Sequence, residues 1–141
     1  MNILDTNVIA ELMRANPEPI VLAWLRDQPV LELATTTINL AEISYGLARL
    51  PFGRRRSDLD SRLNRFVLRG FGNRVLDFDA GAAEIYGEVA VVRERAGRRL
   101  EGFDGLIAAI AKSRLLPIVT RNIGDFEGLG IDLINPWSSG S

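Results

Sequence analysis

The first eleven residues, MNILDTNVIAE, constrain the fold more than any other stretch of this chain. A short strand-compatible run, Asn2 to Leu4, passes directly into Asp5. Thr6 and Asn7, both good helix-capping types, then introduce a helix opening at Val8-Ile9-Ala10-Glu11-Leu12-Met13. A buried strand that turns into a helix is the first half of a strand–helix–strand unit. In parallel α/β sheets built from such units, ligands collect at the carboxyl ends of the strands, where loops and helix N-termini converge. Asp5 sits at such an end. From this stretch alone it reads equally well as a cap of the first helix and as a functional carboxylate.

At 141 residues the chain has the size of one domain, and 47% hydrophobic with 25% charged residues suits an ordinary globular core. No apolar stretch approaches the ~18 residues that cross a bilayer, and the chain opens on a strand rather than on a basic leader with an apolar run, so a cytoplasmic protein is expected. Cysteine and histidine are both absent. Disulfides, thiol nucleophiles, the usual zinc sites and every Ser-His-Asp arrangement are therefore excluded, leaving carboxylates, hydroxyls, amides, arginines and Lys112 for any chemistry. Oxygen ligands alone favour a hard ion such as Mg²⁺ or Mn²⁺. The net charge of −1 conceals an asymmetry: Arg49 to Arg74 holds eight arginines against Asp58 and Asp60, a local +6, while the rest carries −7. Such a basic surface attracts a polyanion or an acidic partner, or is simply a solvated helix face.

No linker or repeat divides the sequence, and residues 1–137 read as one domain followed by a flexible tail, 138–141. After Asn16-Pro17-Glu18-Pro19, the run from Ile20 to Asp27 predicts a second helix, Val30 to Thr35 a strand, and Thr36 or Thr37 the cap of a third helix ending near Leu50. An amphipathic helix with a basic side follows from Asp58 to Phe71, ended by Gly70 and Gly72. Then come a strand at Val75 to Phe78 and a long helix from Asp79 to about Ala96, closed by Gly97, with Arg98 and Arg99 in a loop. The segment Glu101 to Ala111 is apolar almost all round. At 100° per residue Asp104 shares a face with Ile107, Ala108, Ala111 and Leu115, so a carboxylate stands at the start of a buried stripe, as a cap or as something more. Leu116 to Thr120 predicts a fourth strand, and Asp132 to Asn135 a short last one. This order implies an α/β domain with a central, mainly parallel sheet of four to five strands flanked by helices.

The candidate acids are Asp5, Glu42, Asp104 and Asp125, with Asn122 beside the last. Glu42 falls in the narrow polar arc of its helix with Asn39, Gly46 and Arg49, for which a solvated face is the simpler account. Carboxylates converging at ~4 Å repel by about 4 kcal/mol per pair at an effective dielectric of 20. They require protonation or a cation, and a divalent ion both relieves the repulsion and activates water beside a phosphate.

Three separated segments, ILDTNVIAEL, TTTINLAEISYGL and GFDGLIAAIAKSRLLPIVTRNIGDFEGLGIDLINPW, together resemble in content and order the PIN-domain ribonuclease toxins of the VapC/FitB group, over nearly the whole chain. The resemblance implies a PIN-like domain that hydrolyses RNA phosphodiester bonds with Mg²⁺, or Mn²⁺ in its place. Asp5 and Asp104 would be direct ligands, Glu42 would bind directly or through water, and Thr6 and Thr120 would orient carboxylates or bound water. It further implies a toxin of a two-gene module that forms homodimers and is silenced by a DNA-binding antitoxin, a segment of which enters the acidic pocket. The Arg-rich helix would then face either RNA or that antitoxin. One position departs from the pattern: the fourth acid often follows the Thr-Arg of the fourth strand, and Asn122 stands there. An amide supplies no negative charge, and Asp125, about one helical turn on, is the acid placed to take that role.

Other readings fit less well. A phosphoaspartyl enzyme of the haloacid dehalogenase type needs an acid where Asn7 stands, and a receiver domain needs a lysine at a late strand end, whereas Lys112 falls within a helix. A catalytically weak PIN domain acting as a binding module with a DNA-binding antitoxin is the alternative that the Asn122 departure leaves open.

Overall fold

The computed structural model describes residues 1–98 and 102–138, the side chain of Leu68 aside. Arg99, Glu101 and the expected tail beyond Ser138 lie outside the described residues. Strand β1 (Asn2–Leu4) leads into helix α1 (Thr6–Leu12), followed by α2 (Pro19–Arg26), β2 (Leu33–Thr36), α3 (Thr37–Ala48) and α4 (Arg54–Arg65). Then come β3 (Val75–Leu76), α5 (Ala80–Arg95), α6 (Gly102–Arg114), β4 (Ile118–Val119) and β5 (Leu133–Ile134). The five strands form one sheet in the order β3-β2-β1-β4-β5, and every pairing is parallel. The chain lays down β2 and β3 on one side of β1, then crosses to its other side for β4 and β5. The strand order therefore reverses between β1 and β4, the position where open α/β sheets leave a crevice at their carboxyl ends. Asp5 and Thr120 are the residues that follow those two strands.

The short strands alternate between two cores, as a period of two requires. Ile3 and Ile118, paired across β1 and β4, lie with Ala82 and Val89 of α5 and Ile107 to Ala111 of α6. Leu4 and Val119, the next pair, lie with Val8, Ile9 and Met13 on the α1 side and with Ile43, Leu63 and Phe71. Both faces of the sheet are thus covered, which is why the strands read as continuous apolar runs rather than as alternations.

Several expected boundaries move. Val30–Glu32 is a 3₁₀ turn, and β2 begins only at Leu33. The basic helix begins at Arg54 rather than Asp58, so Arg54, Arg55 and Arg56 form its first turn. It continues through a π-helical turn, Phe66–Phe71, that contains Gly70 and ends at Gly72 with φ 55°. Leu115 does not continue the buried stripe of Asp104. It lies past the end of α6 with φ 57° and is 89% exposed, because α6 closes through a bond from the Leu116 N–H to the Ala111 carbonyl.

Candidate active site at the carboxyl ends of the strands

Asp5 occupies the N-cap of α1 with extended backbone, and its Oδ1 accepts the Thr6 N–H at 2.9 Å. The capping account is therefore true and incomplete, since the side chain is 5% exposed and has further donors. Oδ1 also accepts from Asn39 Nδ2 at 3.0 Å, and Oδ2 accepts from Thr120 Oγ1 at 2.8 Å and, at 3.4 Å, from Asn7 Nδ2. Burial raises the Asp5 pKa. Hydrogen bonds from Thr120 and Thr6 oppose it, the charge of Glu42 adds to it, and the Asn39 bond again opposes it.

Glu42 is half-buried, not part of a solvated face. Its Oε1 accepts from Thr6 Oγ1 at 2.5 Å. Asn39 accounts for the difference. Helical periodicity assigned it to the polar arc with Glu42, yet it is fully buried, and its amide bridges α3 to α1 by donating to Asp5 and, at 3.1 Å, to Thr6 Oγ1. The first part of the polar arc of α3, Asn39 and Glu42, faces the strand ends, while Gly46 and Arg49 are exposed. Thr36, the N-cap of α3, accepts the Asn39 N–H at 3.1 Å and donates its hydroxyl to Asn39 Oδ1 at 2.6 Å, which fixes the amide with its NH₂ toward Asp5. The Thr-x-x-Asn spacing at the start of that helix is the sequence signal that points to Asn39.

Asn7 is a second participant missing from the candidate acids and their neighbours. It donates to Thr120 Oγ1 at 3.2 Å and accepts the Arg121 N–H at 3.1 Å, tying the loop after β4 to the start of α1. Thr120, fully buried, also accepts the Asn122 N–H at 3.1 Å. The side chain of Asn122 is exposed, and a 3₁₀ turn, Ile123–Asp125, carries Asp125 onward, also exposed. Arg121 lies over the Trp137 ring, 5.0 Å from its centroid, and adds no cation to the carboxylates.

Asp104 stands in the first turn of α6, half-buried. Its pKa is pushed up to about 7, first by burial and then by the charges of Asp125, Asp5 and Glu42, with Arg93 acting in the opposite direction. The other three acids named from sequence thus lie within electrostatic reach of Asp104, while Asn122 contributes a backbone bond rather than a charge. Among the described residues no Lys or Arg pairs with any of the four. This donor set, all oxygen and without a salt bridge among the described residues, fits a hard divalent cation. No three acids among the described residues are already gathered as a metal cage.

A groove of about 960 Å³ adjoins these acids through Thr6 and Glu42. Its apolar lining includes Met13, Ile43, Leu47 and Leu59, and Arg14, Arg54, Arg55 and Arg62 border it.

The structure defines the class as an all-parallel α/β domain with acidic side chains at the switch point of its sheet, the place where such folds bind their ligands. The family follows from comparison: the sequence model for the PIN domain matches residues 3–129, and the chain belongs to the PIN-domain family. It is 40% identical over 137 residues to VapC ribonuclease Y4jK of Sinorhizobium fredii, covering 97% of this chain and 98% of that one. It is 36% identical over 137 residues to Toxin FitB of Neisseria gonorrhoeae, covering 97% and 99%. Among solved structures, that of FitAB bound to an IR36 DNA fragment superposes with a TM-score of 0.92 at 33% identity, covering 100% of this chain and 99% of that one.

Proposed function

We propose that this protein is the toxin of a type II toxin–antitoxin module, a divalent-metal-dependent ribonuclease that hydrolyses RNA phosphodiester bonds. The observation that carries the reading is a group of acids with no salt bridge among the described residues: neutral amides and hydroxyls rather than cations fix Asp5 and Glu42, and burial with the charges of Asp125, Asp5 and Glu42 pushes Asp104 up to about 7. Such a pocket repels a phosphodiester until a cation occupies it. The names of the relatives, a VapC ribonuclease and a FitB toxin, support the same activity.

Asp5 and Asp104 would hold Mg²⁺, or Mn²⁺ in its place, with Glu42 binding directly or through water and Asp125 supplying the fourth negative charge that Asn122 does not. When bound, the ion lowers the pKa of water and neutralises charge on the phosphate under attack. The chain's own part is orientation. Thr120, Asn39 and the Thr6 N–H hold both oxygens of Asp5 in place, and the Thr6 hydroxyl holds Glu42. We assign the groove beside Glu42, with its apolar floor and arginine border, to a segment of a cognate DNA-binding antitoxin, a partner that the superposition on a FitAB–DNA complex supports, and we expect a homodimer. No helix among the described residues is long and apolar enough to cross a membrane, which accords with action on cytoplasmic RNA.

The test is cleavage of structured RNA by the purified protein with Mg²⁺, with EDTA, and as Asp5→Asn. Cleavage is expected only in the first case, and equal cleavage by wild type and Asp5→Asn overturns the assignment. The second reading, a binding module with weak catalysis, rests on the exposed Asn122 in place of an acid. It predicts full antitoxin-dependent DNA binding with no metal-dependent cleavage.

A further inference from the structure

Arg93, near the end of α5, is a buried cation that the reading above does not use. It is 5% exposed. Nη1 donates to the Glu127 carbonyl at 2.6 Å, Nη2 donates to the Gly124 carbonyl at 3.0 Å, and Nε is buried without a partner. Among the described residues no carboxylate pairs with it. Arg93 acts on the charge of Asp104 without pairing with it, and a buried guanidinium with no carboxylate in contact and one donor unmade is costly. A methionine of similar length would fill the same space without either cost. Packing therefore does not explain an arginine here, whereas its two bonds do, because the carbonyls they reach flank Asp125 on both sides.

The turn that carries Asp125 is closed by the Asp125 N–H to the Asn122 carbonyl and the Phe126 N–H to the Ile123 carbonyl, both at 3.0 Å. Those bonds shape the turn but do not aim it. Its start is anchored by the Asn122 N–H on Thr120 Oγ1, and its far side by the buried Phe126 and the Arg93 fork, with a longer, exposed bond from Arg98 Nη1 to the Gly124 carbonyl at 3.3 Å.

We infer that Arg93 is a positioning residue of the candidate site: its guanidinium clamps the backbone on either side of Asp125 and so holds that carboxylate toward Asp104 as part of the cation-binding group. The inference rests on the metal-site reading above and adds a residue to it.

The test is a double-mutant cycle on Mn²⁺ affinity, measured by calorimetry on the full chain, with amide hydrogen exchange over residues 123–127 as a second readout. Arg93→Met is expected to weaken Mn²⁺ binding about tenfold, the usual scale for losing a group that orients a ligand, and to speed exchange in the turn. In an Asp125→Asn background the same substitution should produce no further loss of affinity, because the carboxylate it aims is gone. Arg93→Lys, which reaches one carbonyl, should recover part of the loss. If Arg93→Met does not fold, Arg93→Lys and Arg93→Gln carry the same cycle. Unchanged Mn²⁺ affinity with a lowered melting temperature, or a loss that adds in full to that of Asp125→Asn, overturns the inference. Failure of the metal site itself has a different signature, Mn²⁺ affinity unaffected by Asp5→Asn or Asp104→Asn.

Discussion

Removing the charge of Asp104 should make the metal-free protein more stable while abolishing its metal binding. The carboxyl is pushed from 3.8 up to about 7, a little over three pH units. At about 1.36 kcal/mol per unit this amounts to ~4 kcal/mol favouring the protonated form in the folded state. Asp104 is half-buried, so solvent screening reduces the figure, by roughly half, to ~2 kcal/mol. An acid whose folded pKa is raised binds its proton more tightly folded than unfolded. Its contribution is harmless below pH 3.8, turns destabilising as pH rises from 3.8 to about 7, and is fully destabilising above that. In EDTA at pH 8, Asp104→Asn should therefore melt higher than wild type by about 8 °C, taking roughly 4 °C per kcal/mol for a chain of this size. At pH 4 the two should coincide.

The measurement is a pair of thermal melts at half-unit pH steps with metal removed. The difference between variant and wild type isolates Asp104, because Asp5, whose pKa is also raised, is common to both. Mg²⁺ at a hundred times its dissociation constant should restore about 2.7 kcal/mol to wild type at pH 8 and nothing to the variant. A difference that stays flat from pH 4 to pH 8, or an Asp104→Asn protein that melts below wild type at pH 8, would refute the electrostatic account of the pocket.

Three further outcomes follow from other contacts. Thr120→Val removes a buried hydroxyl that donates to Asp5 and accepts from Asn122 and Asn7, and it should lower urea stability by about 1–3 kcal/mol with an unchanged m-value. Leu115→Gly relieves a left-handed backbone at an exposed site and should raise stability by about 1 kcal/mol, read as a higher urea midpoint. Asn122→Asp places a charge where the family pattern often has one, and calorimetry should then show tighter Mn²⁺ binding or a second equivalent, with a lower metal-free melting temperature at pH 8.

Legibility in the sequence tracked the kind of force involved. The strand at Asn2 to Leu4, the cap at Asp79 and the helix end at Gly97 follow from local chemistry, and each lies where the local pattern puts it. The parallel sheet follows from the alternation of strands and helices, a consequence of how crossovers pack. The Thr-x-x-Asn spacing marks Asn39, but the direction in which Asn39 and Glu42 face is opaque for a physical reason. A polar arc on a helix has the same periodicity whether it faces water or a buried set of carboxylates, and only the packing of α3 across α1 decides between them. Arg93 was opaque likewise: nothing local separates an arginine facing solvent from one whose fork ends on the carbonyls of a loop thirty-odd residues away. Leu115 was misplaced because a face count assumes the helix continues, and the bond from Leu116 to Ala111 ends it first.

The choice of donors around Asp5 bears on why the pocket retains its charge. An arginine in contact with this buried carboxylate would have fixed it as firmly as the amides and hydroxyls do, and with a stronger bond. It would also have cancelled the negative field and occupied the space a cation needs. Asn39, Thr120 and the Thr6 N–H immobilise both oxygens while leaving the charge in place, and the nearest buried cation, Arg93, spends its hydrogen bonds on backbone carbonyls instead. Orientation and neutralisation are thereby separated. On the proposed metal-dependent reading, the fold supplies orientation through neutral groups and leaves neutralisation to the ion, so occupancy, and with it activity, should fall as protons compete for Asp104 below pH 7.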